Sequence, residues 1–159
     1  MEKIIKLRKL FKNFNLDGYI IPKNNNFFGE YVSDPEDNLK YISNFTGSAG
    51  FAVILKNKNY MFVDGRYTVQ AGIQCGKEFQ ICNIPEEYPF SIIKNKNLNL
   101  GFDPKLHTEN SINRLFGSSL IKLKPINKNL IDLLWKREKN SKIKPFYLIK
   151  DQDAGSKVK

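Results

Sequence analysis

The chain has 159 residues, 26 Lys and Arg against 16 Asp and Glu, a formal charge of +10 and 41% hydrophobic residues. That length suits one domain, and 12 Phe, 7 Tyr and many aliphatic side chains are enough to fill one ordinary core. Collagen-like, disordered and disulfide-scaffold classes are excluded, and the longest apolar run, Phe51 to Leu55, falls far short of the roughly twenty residues of a membrane span.

Residues 2 to 14 place Ile4, Leu7, Phe11 and Phe14 at three- and four-residue spacing with lysines largely opposite, which predicts an amphipathic helix that buries its apolar stripe. Asn15 to Gly18 ends it, and Gly18 to Pro22 reads as a short buried strand stopped by proline. From Lys23 to Asp37 the chain is polar and irregular, and a loop of that length inside a compact domain is more often functional than not. A helical turn is expected near Asn38 to Ser43. Phe51 to Leu55 and Tyr60 to Val63, joined by an Asn/Lys turn, read as a hairpin.

Asp64-Gly65 closes the second strand, and Arg66 to Gly76 carries Val69 and Ile73 at helical spacing. Phe79 to Ile84 predicts a strand, Glu86 to Lys94 a helix, and Leu98 to Phe102 a strand ended by Asp103-Pro104. Thr108 is a good N-cap for a helix through Phe116, with Glu109 in its first turn. Leu120 to Leu123 reads as a strand, and Asn127 to Trp135 as a last helix with Leu130, Ile131 and Leu134 on one face. The alternation predicts an α/β fold, a mixed sheet of about six strands with helices on both faces. From Lys136 the composition turns polar and charged, so the expected division is a domain over 1–135, a linker over 136–145 and the stub of a second domain over 146–159.

The charge has a plain explanation. Lys (22), Asn (18) and Ile (17) all have A/T-rich codons, and only four Arg occur, whereas a phosphate-binding patch favours Arg. The surface therefore reads as solvated, with no specific nucleic-acid partner and no membrane. Cys75 and Cys82 match no zinc or redox spacing and read as buried thiols, and the single His107 cannot complete a histidine-rich metal site. The N-terminus lacks a signal-peptide layout, so a cytoplasmic location is expected.

Candidate motifs read structurally first. Thr46-Gly-Ser-Ala-Gly50 precedes a strand, so Gly47, Ser48 and Gly50 form a tight turn and not a nucleophile elbow or a phosphate cradle. Asp64-Gly65-Arg66 sits where a strand becomes a helix, with Asp64 as cap and local partner of Arg66. Glu30, Asp34, Glu36 and Asp37 cluster in the long loop without a histidine or metal partner nearby in sequence. His107 reads as an exposed side chain ahead of its helix, and Trp135 as an anchor at the domain edge. No complete catalytic set is present, and no metal site is assigned.

Taken together, Tyr41-Ile-Ser-Asn-Phe-Thr-Gly-Ser-Ala-Gly50, the apolar strand after it and Phe62-Val-Asp-Gly-Arg-Tyr-Thr-Val-Gln-Ala71 resemble the N-terminal, creatinase/prolidase-type domain of the Xaa-Pro aminopeptidases (aminopeptidase P), three-domain type. Asp17-Gly-Tyr-Ile-Ile-Pro22, Gly29-Glu-Tyr31, Gly101-Phe-Asp-Pro104 and Asn129-Leu-Ile-Asp-Leu-Leu-Trp135 extend the likeness over residues 1 to about 135. The resemblance implies enzymes that remove the N-terminal residue from Xaa-Pro peptides with two divalent metal ions, usually manganese, held in a C-terminal domain absent from these residues. It implies that the N-terminal domain supports oligomerisation and walls the substrate entrance, so this chain alone is expected to be inactive. Its partners would be the catalytic domain or a family homologue, a second copy, and peptide only in the full-length context.

The resemblance places a binding expectation on Asn25, Phe27, Glu30 and Tyr31, in the loop that would face a neighbouring active site. There the family usually shows an Asp and a His, where this sequence has Asn25 and Phe27. The linker has also lost a stiff proline pattern for Lys136-Arg-Glu-Lys139. A stand-alone interaction module, or a decaying gene fragment without peptidase activity, remains the alternative.

Overall fold

The computed structural model describes residues 1–93, 97–117, 120–137, 148–150 and 153. Most of the expected linker and second-domain stub, including Pro145 and Ala154 to Ser156, lies outside them. Among the described residues, β1 (Gly18–Pro22), β2 (Phe51–Leu55), β3 (Asn59–Asp64), β4 (Gln80–Ile84), β5 (Asn99–Phe102) and β6 (Lys122–Pro125) form one sheet in the order β4-β3-β2-β1-β5-β6. β2 is antiparallel to both neighbours and the other pairings are parallel, so five strands run one way and β2 against them.

Strand alternation divides the apolar residues into two cores. Tyr19, Ile21, Ala52, Ile54, Met61 and Val63 face α1 (Glu2–Phe14), α2 (Asn38–Ser43) and α3 (Thr68–Cys75). Ile20, Phe51, Val53, Tyr60 and Phe62 face the other layer, where Ile93 follows α4 (Pro89–Ile92) and α5 (Glu109–Phe116) contributes Ile112 and Phe116. Mixed sheet and two helical layers match the architecture read from the sequence. Where β1 crosses β2, a Cβ on Gly18 would lie 2.7 Å from the Ile54 carbonyl oxygen, so only glycine lets the strands close. The edges are protected: β6 carries Lys122, Lys124 and Pro125, and is largely exposed.

The helix termini follow their residues. Asn15 adopts φ 51° as the C-cap of α1, and Lys124 Nζ donates to the Phe14 carbonyl at 2.9 Å. Thr108 Oγ1 accepts from Ser111 N–H and Ser111 Oγ accepts from Thr108 N–H, both at 3.1 Å, a complete capping box for α5.

Three expectations, over 86–94, 120–123 and 127–135, need correction. The helix expected over 86–94 shrinks to the four residues of α4, and the last strand starts at Lys122, two residues later than read. Val69 and Ile73 mark a helix but are 75% and 78% exposed, while Ala71 and Cys75 form its packed face. Residues 127–135 make hydrogen-bonded turns and no helix. Asn129 Oδ1 accepts from Ile131 N–H at 2.9 Å and Tyr19 Oη accepts from Leu130 N–H at 3.3 Å, diverting the amides a helix would use. Leu130 and Ile131 are buried all the same.

The two kinds of apolar residue on these helices separate in stability. Phe11→Ala, at a site 1% exposed, is expected to cost about 3–5 kcal/mol, and Ile73→Ala less than about 0.5 kcal/mol. Urea unfolding midpoints of the two variants check this, and equal losses would show that α3 packs through Ile73.

Candidate functional site

Because five strands are co-directional, the loops after β1, β3, β5 and β6 and the turn before β2 all gather at one end of the sheet. The motifs 46–50 and 64–66, the loop 23–37 and His107 lie there. The loop after β1 is fixed by Asn25, a buried side chain whose Oδ1 accepts from the N–H groups of Phe27 and Gly29, both at 3.1 Å. This turns Phe27 and Tyr31 outward, 85% and 84% exposed, with Glu30 exposed between them. Phe28 sits at φ 53°, a backbone conformation rare for a bulky residue.

Beneath the loop, Lys23 and Asp37 form a buried ion pair, with side chains 9% and 3% exposed. Asp37 Oδ1 also caps α2 by accepting from Lys40 N–H at 2.9 Å. Two further carboxylates of the loop are paired too: Lys40 Nζ donates to Asp34 at 2.7 Å and Ser33 Oγ to Glu36 at 2.8 Å. These acids serve as local partners.

The turn before β2 is tied to α3. Thr46 Oγ1 accepts from Gln70 and Gln74 at 3.0 and 2.9 Å, and Ser48 Oγ lies 2.7 Å from Tyr67 Oη. Gly47 and Gly50 are needed because a Cβ on the first would overlap the Phe45 ring and the second has φ 149°. Asp64 accepts from the Arg66 N–H and guanidinium at 2.9–3.0 Å, which holds its carboxyl below the usual range. Gly65 adjoins this pair, and both 46–50 and 64–66 are held by these local contacts.

Between the ends of β1, β5 and β6 opens a polar cleft of about 190 Å³ whose wall includes Asn25, Asn38, Asp103, Asn129 and Arg137. Asp103 is 6% exposed and accepts from Asn129 Nδ2 and Lys105 N–H at 2.9 and 3.0 Å. The sequence reading passed over this pair, since Asp103-Pro104 marked only a strand stop. An Asp after a strand is equally an N-cap, and that was the available signal.

His107 is partly buried and edge-on to Phe102 at 5.6 Å, contrary to the exposed side chain expected, because the turn after Asp103 lays it on the second core. Its Nε2 is buried without a partner among the described residues, and burial holds its pKa down at about 4. Trp135 stacks on Tyr41 at 4.6 Å. Cys75 and Cys82 are buried thiols pushed up to about 11 by burial, outside the range of reactive cysteines. Among the described residues no three His, Cys, Asp or Glu side chains are grouped to hold a metal ion, and no helix is long and apolar enough to cross a membrane.

The chain matches the creatinase/prolidase N-terminal domain over residues 3–130. It belongs to that family. A probable Xaa-Pro aminopeptidase P of Coprinopsis cinerea is 28% identical over 99% of this chain, and Xaa-Pro aminopeptidase 2 of Mus musculus 32% identical over 97%. The creatinase-type chain spans 27% and 24% of those two relatives. The X-prolyl aminopeptidase of Caenorhabditis elegans, described as a cytosolic enzyme with a di-nuclear active site, is similar with a TM-score of 0.75 and 26% identity, over 87% of this chain and 26% of that one. The N-terminal domain of the cytoplasmic peptidase PepQ from Mycobacterium tuberculosis shares the fold, with a TM-score of 0.65 at 19% identity over 84% of this chain and 98% of that one.

Two expectations follow for this creatinase-type domain. His107 has a folded-state pKa below its unfolded value near 6.5, so neutral His107 is compatible with the fold above that pH. Stability is lost as pH falls from about 6.5 to about 4, by at most about 3 kcal/mol. With one histidine in the chain, an NMR titration of its ring proton reads the pKa directly, and a value near 6.5 would overturn the burial. Asp37→Ala leaves Lys23 buried and unpaired and is expected to destabilise by about 3–5 kcal/mol, with the double change Lys23→Met, Asp37→Leu recovering part of the loss. Denaturant midpoints of the three proteins decide this.

Proposed function

We propose that this chain is the non-catalytic N-terminal domain of an Xaa-Pro aminopeptidase. The observation that carries the reading is coverage: nearly the whole chain aligns with Xaa-Pro aminopeptidases while accounting for about a quarter of their length. In this reading residues 1–135 are the domain, 136–145 a linker and 146–159 the start of a second domain. In this reading the two divalent ions, manganese by family resemblance, are held by a catalytic domain, in keeping with the di-nuclear active site described for the worm enzyme. On the same reading the setting is cytoplasmic, in keeping with the worm relative described as a cytosolic enzyme.

What this domain does is positional. Asn25 fastens the loop after β1, and the exposed Phe27, Glu30 and Tyr31 form a rim that walls a neighbouring substrate entrance. The aromatic rings exclude water and narrow the approach, and Glu30 favours the positive N-terminus of a peptide. The partner is the catalytic domain or a family homologue, and a second copy would extend the same contacts.

A second reading, a stand-alone interaction module, draws on the exposed Phe27, Tyr31, Val69 and Ile73. Size-exclusion chromatography at several concentrations separates the two: self-association without a catalytic partner supports the module, and a monomer counts against it.

The purified chain is expected to release no amino acid from Xaa-Pro peptides, with or without manganese. Mixed with a family catalytic domain lacking its own N-terminal part, it should co-elute, and Phe27→Ala should change KM more than kcat. Metal-dependent turnover by the chain alone, retained on repurification, would overturn the non-catalytic role.

A further inference from the structure

The polar cleft is not used by the rim just described, and two independent features point to a ligand there. The first is topology. After β1 the chain crosses to α2 on one face of the sheet, and after β5 it crosses to α5 on the other. β1 and β5 are adjacent and parallel, so their carboxyl ends flank a switch point, the place where open α/β sheets hold ligands. The cleft sits at that point, and Asn24 Nδ2 spans it by donating to the Leu106 carbonyl at 3.1 Å.

The second is composition. Six of its thirteen lining residues are asparagine (Asn24, Asn25, Asn26, Asn38, Asn127 and Asn129), against 18 in 159 for the chain, a concentration that codon bias spread over the surface does not produce. Its charges cancel: Glu36, Asp103 and Asp132 oppose Lys105, Lys128 and Arg137, and Asp132 is paired with Arg137. Such a wall has no net charge with which to draw an anion or a cation. Among the described residues, Asn24 Oδ1, Asn38 Nδ2 and both ends of the Asn26 and Asn127 amides have no hydrogen-bond partner. Arg137 Nε on the same wall is a buried donor without an acceptor.

Three unspent acceptor oxygens beside four unspent donor nitrogens are the complement of a secondary amide, which presents one of each. We propose that this cleft binds an uncharged peptide backbone, one or two peptide units long. A carbonyl would satisfy Arg137 Nε or Asn38 Nδ2, and an N–H would satisfy Asn24 Oδ1. The volume, about 190 Å³, holds roughly six waters at about 30 Å³ each, the space of one blocked residue. Binding needs neither metal nor catalysis, so it stands or falls apart from the place of this chain in an aminopeptidase.

The test uses the full chain, uniformly ¹⁵N-labelled, titrated with N-acetyl-alanine N-methylamide while the asparagine side-chain NH₂ signals are followed. Saturable shifts confined to the Asn24, Asn38 and Asn127 signals are expected. The same compound methylated at both amide nitrogens should bind several-fold more weakly, having lost its donors. Asn38→Asp keeps the oxygen to which Arg137 donates and removes the NH₂, and should weaken binding about five-fold, the effect of one hydrogen bond. Asn127→Ala, at an exposed position that folding tolerates, should do the same, and Lys9→Ala, on the exposed face of α1, should leave binding unchanged. Three results would each overturn the proposal: equal binding of the methylated compound, displacement by inorganic phosphate (which would make this an anion site), or no saturable shift at the solubility limit.

Discussion

Burial of the three central strands on both faces governs the rest of this structure. Every residue of β1 and β2, and all of β3 but Asp64, is buried, so polar groups have no place along the middle of the sheet and collect at its ends. Each end is then tied off by side chains. At the amino end of β1, Asp17 accepts from Asn99 N–H and Lys56 Nζ, while Arg8 donates to the Leu55 carbonyl and Asn59. At the carboxyl end, Lys23 N–H extends the pairing by donating to the Gly50 carbonyl, and Asp37 neutralises its ammonium. This carboxyl end is polar because the sheet leaves no other outlet, and it is ordered because so many of its groups are already paired.

What the sequence made legible were elements whose signal is local. The stripe of α1, the solid apolar runs of β1 to β3 and the Thr108 cap each depend on neighbours within a few residues. What it concealed depends on distant partners. Val69 and Ile73 have helical spacing, yet α3 approaches the sheet through the small Ala71 and Cys75, and only the sheet decides which face that is. Residues 127–135 carry a helical period, but Tyr19, more than a hundred residues away, takes the amide of Leu130. The cleft was hidden twice: its asparagines resembled codon bias, and they come from three segments that only the strand order brings together.

The departing chain is fixed to the same end. Lys3, Tyr41, Trp135 and Arg137 form a layered stack, with spacings of 4.4, 4.6 and 5.2 Å between successive groups. Arg137 also donates to Asn38 at 2.7 Å, so one guanidinium belongs both to the stack and to the cleft wall. Arg137 thus joins the residues just after Trp135 to the cleft wall.

Asn25 shows how a change of residue type acts once its surroundings are known. A carboxylate there would accept from Phe27 and Gly29 N–H as well as the amide oxygen does, so the turn itself does not demand asparagine. The difference lies on the other side of the group, where Asn25 Nδ2 faces Glu36 Oε2 at 3.5 Å. An aspartate would set two carboxylates against each other at a site 9% exposed, and a nearby positive group would be needed to relieve them. Phe27, two residues on, supplies no positive group to the loop at that position. An amide at 25 therefore holds the turn without opposing Glu36, and the rim beside it, Phe27 and Tyr31, is aromatic and exposed.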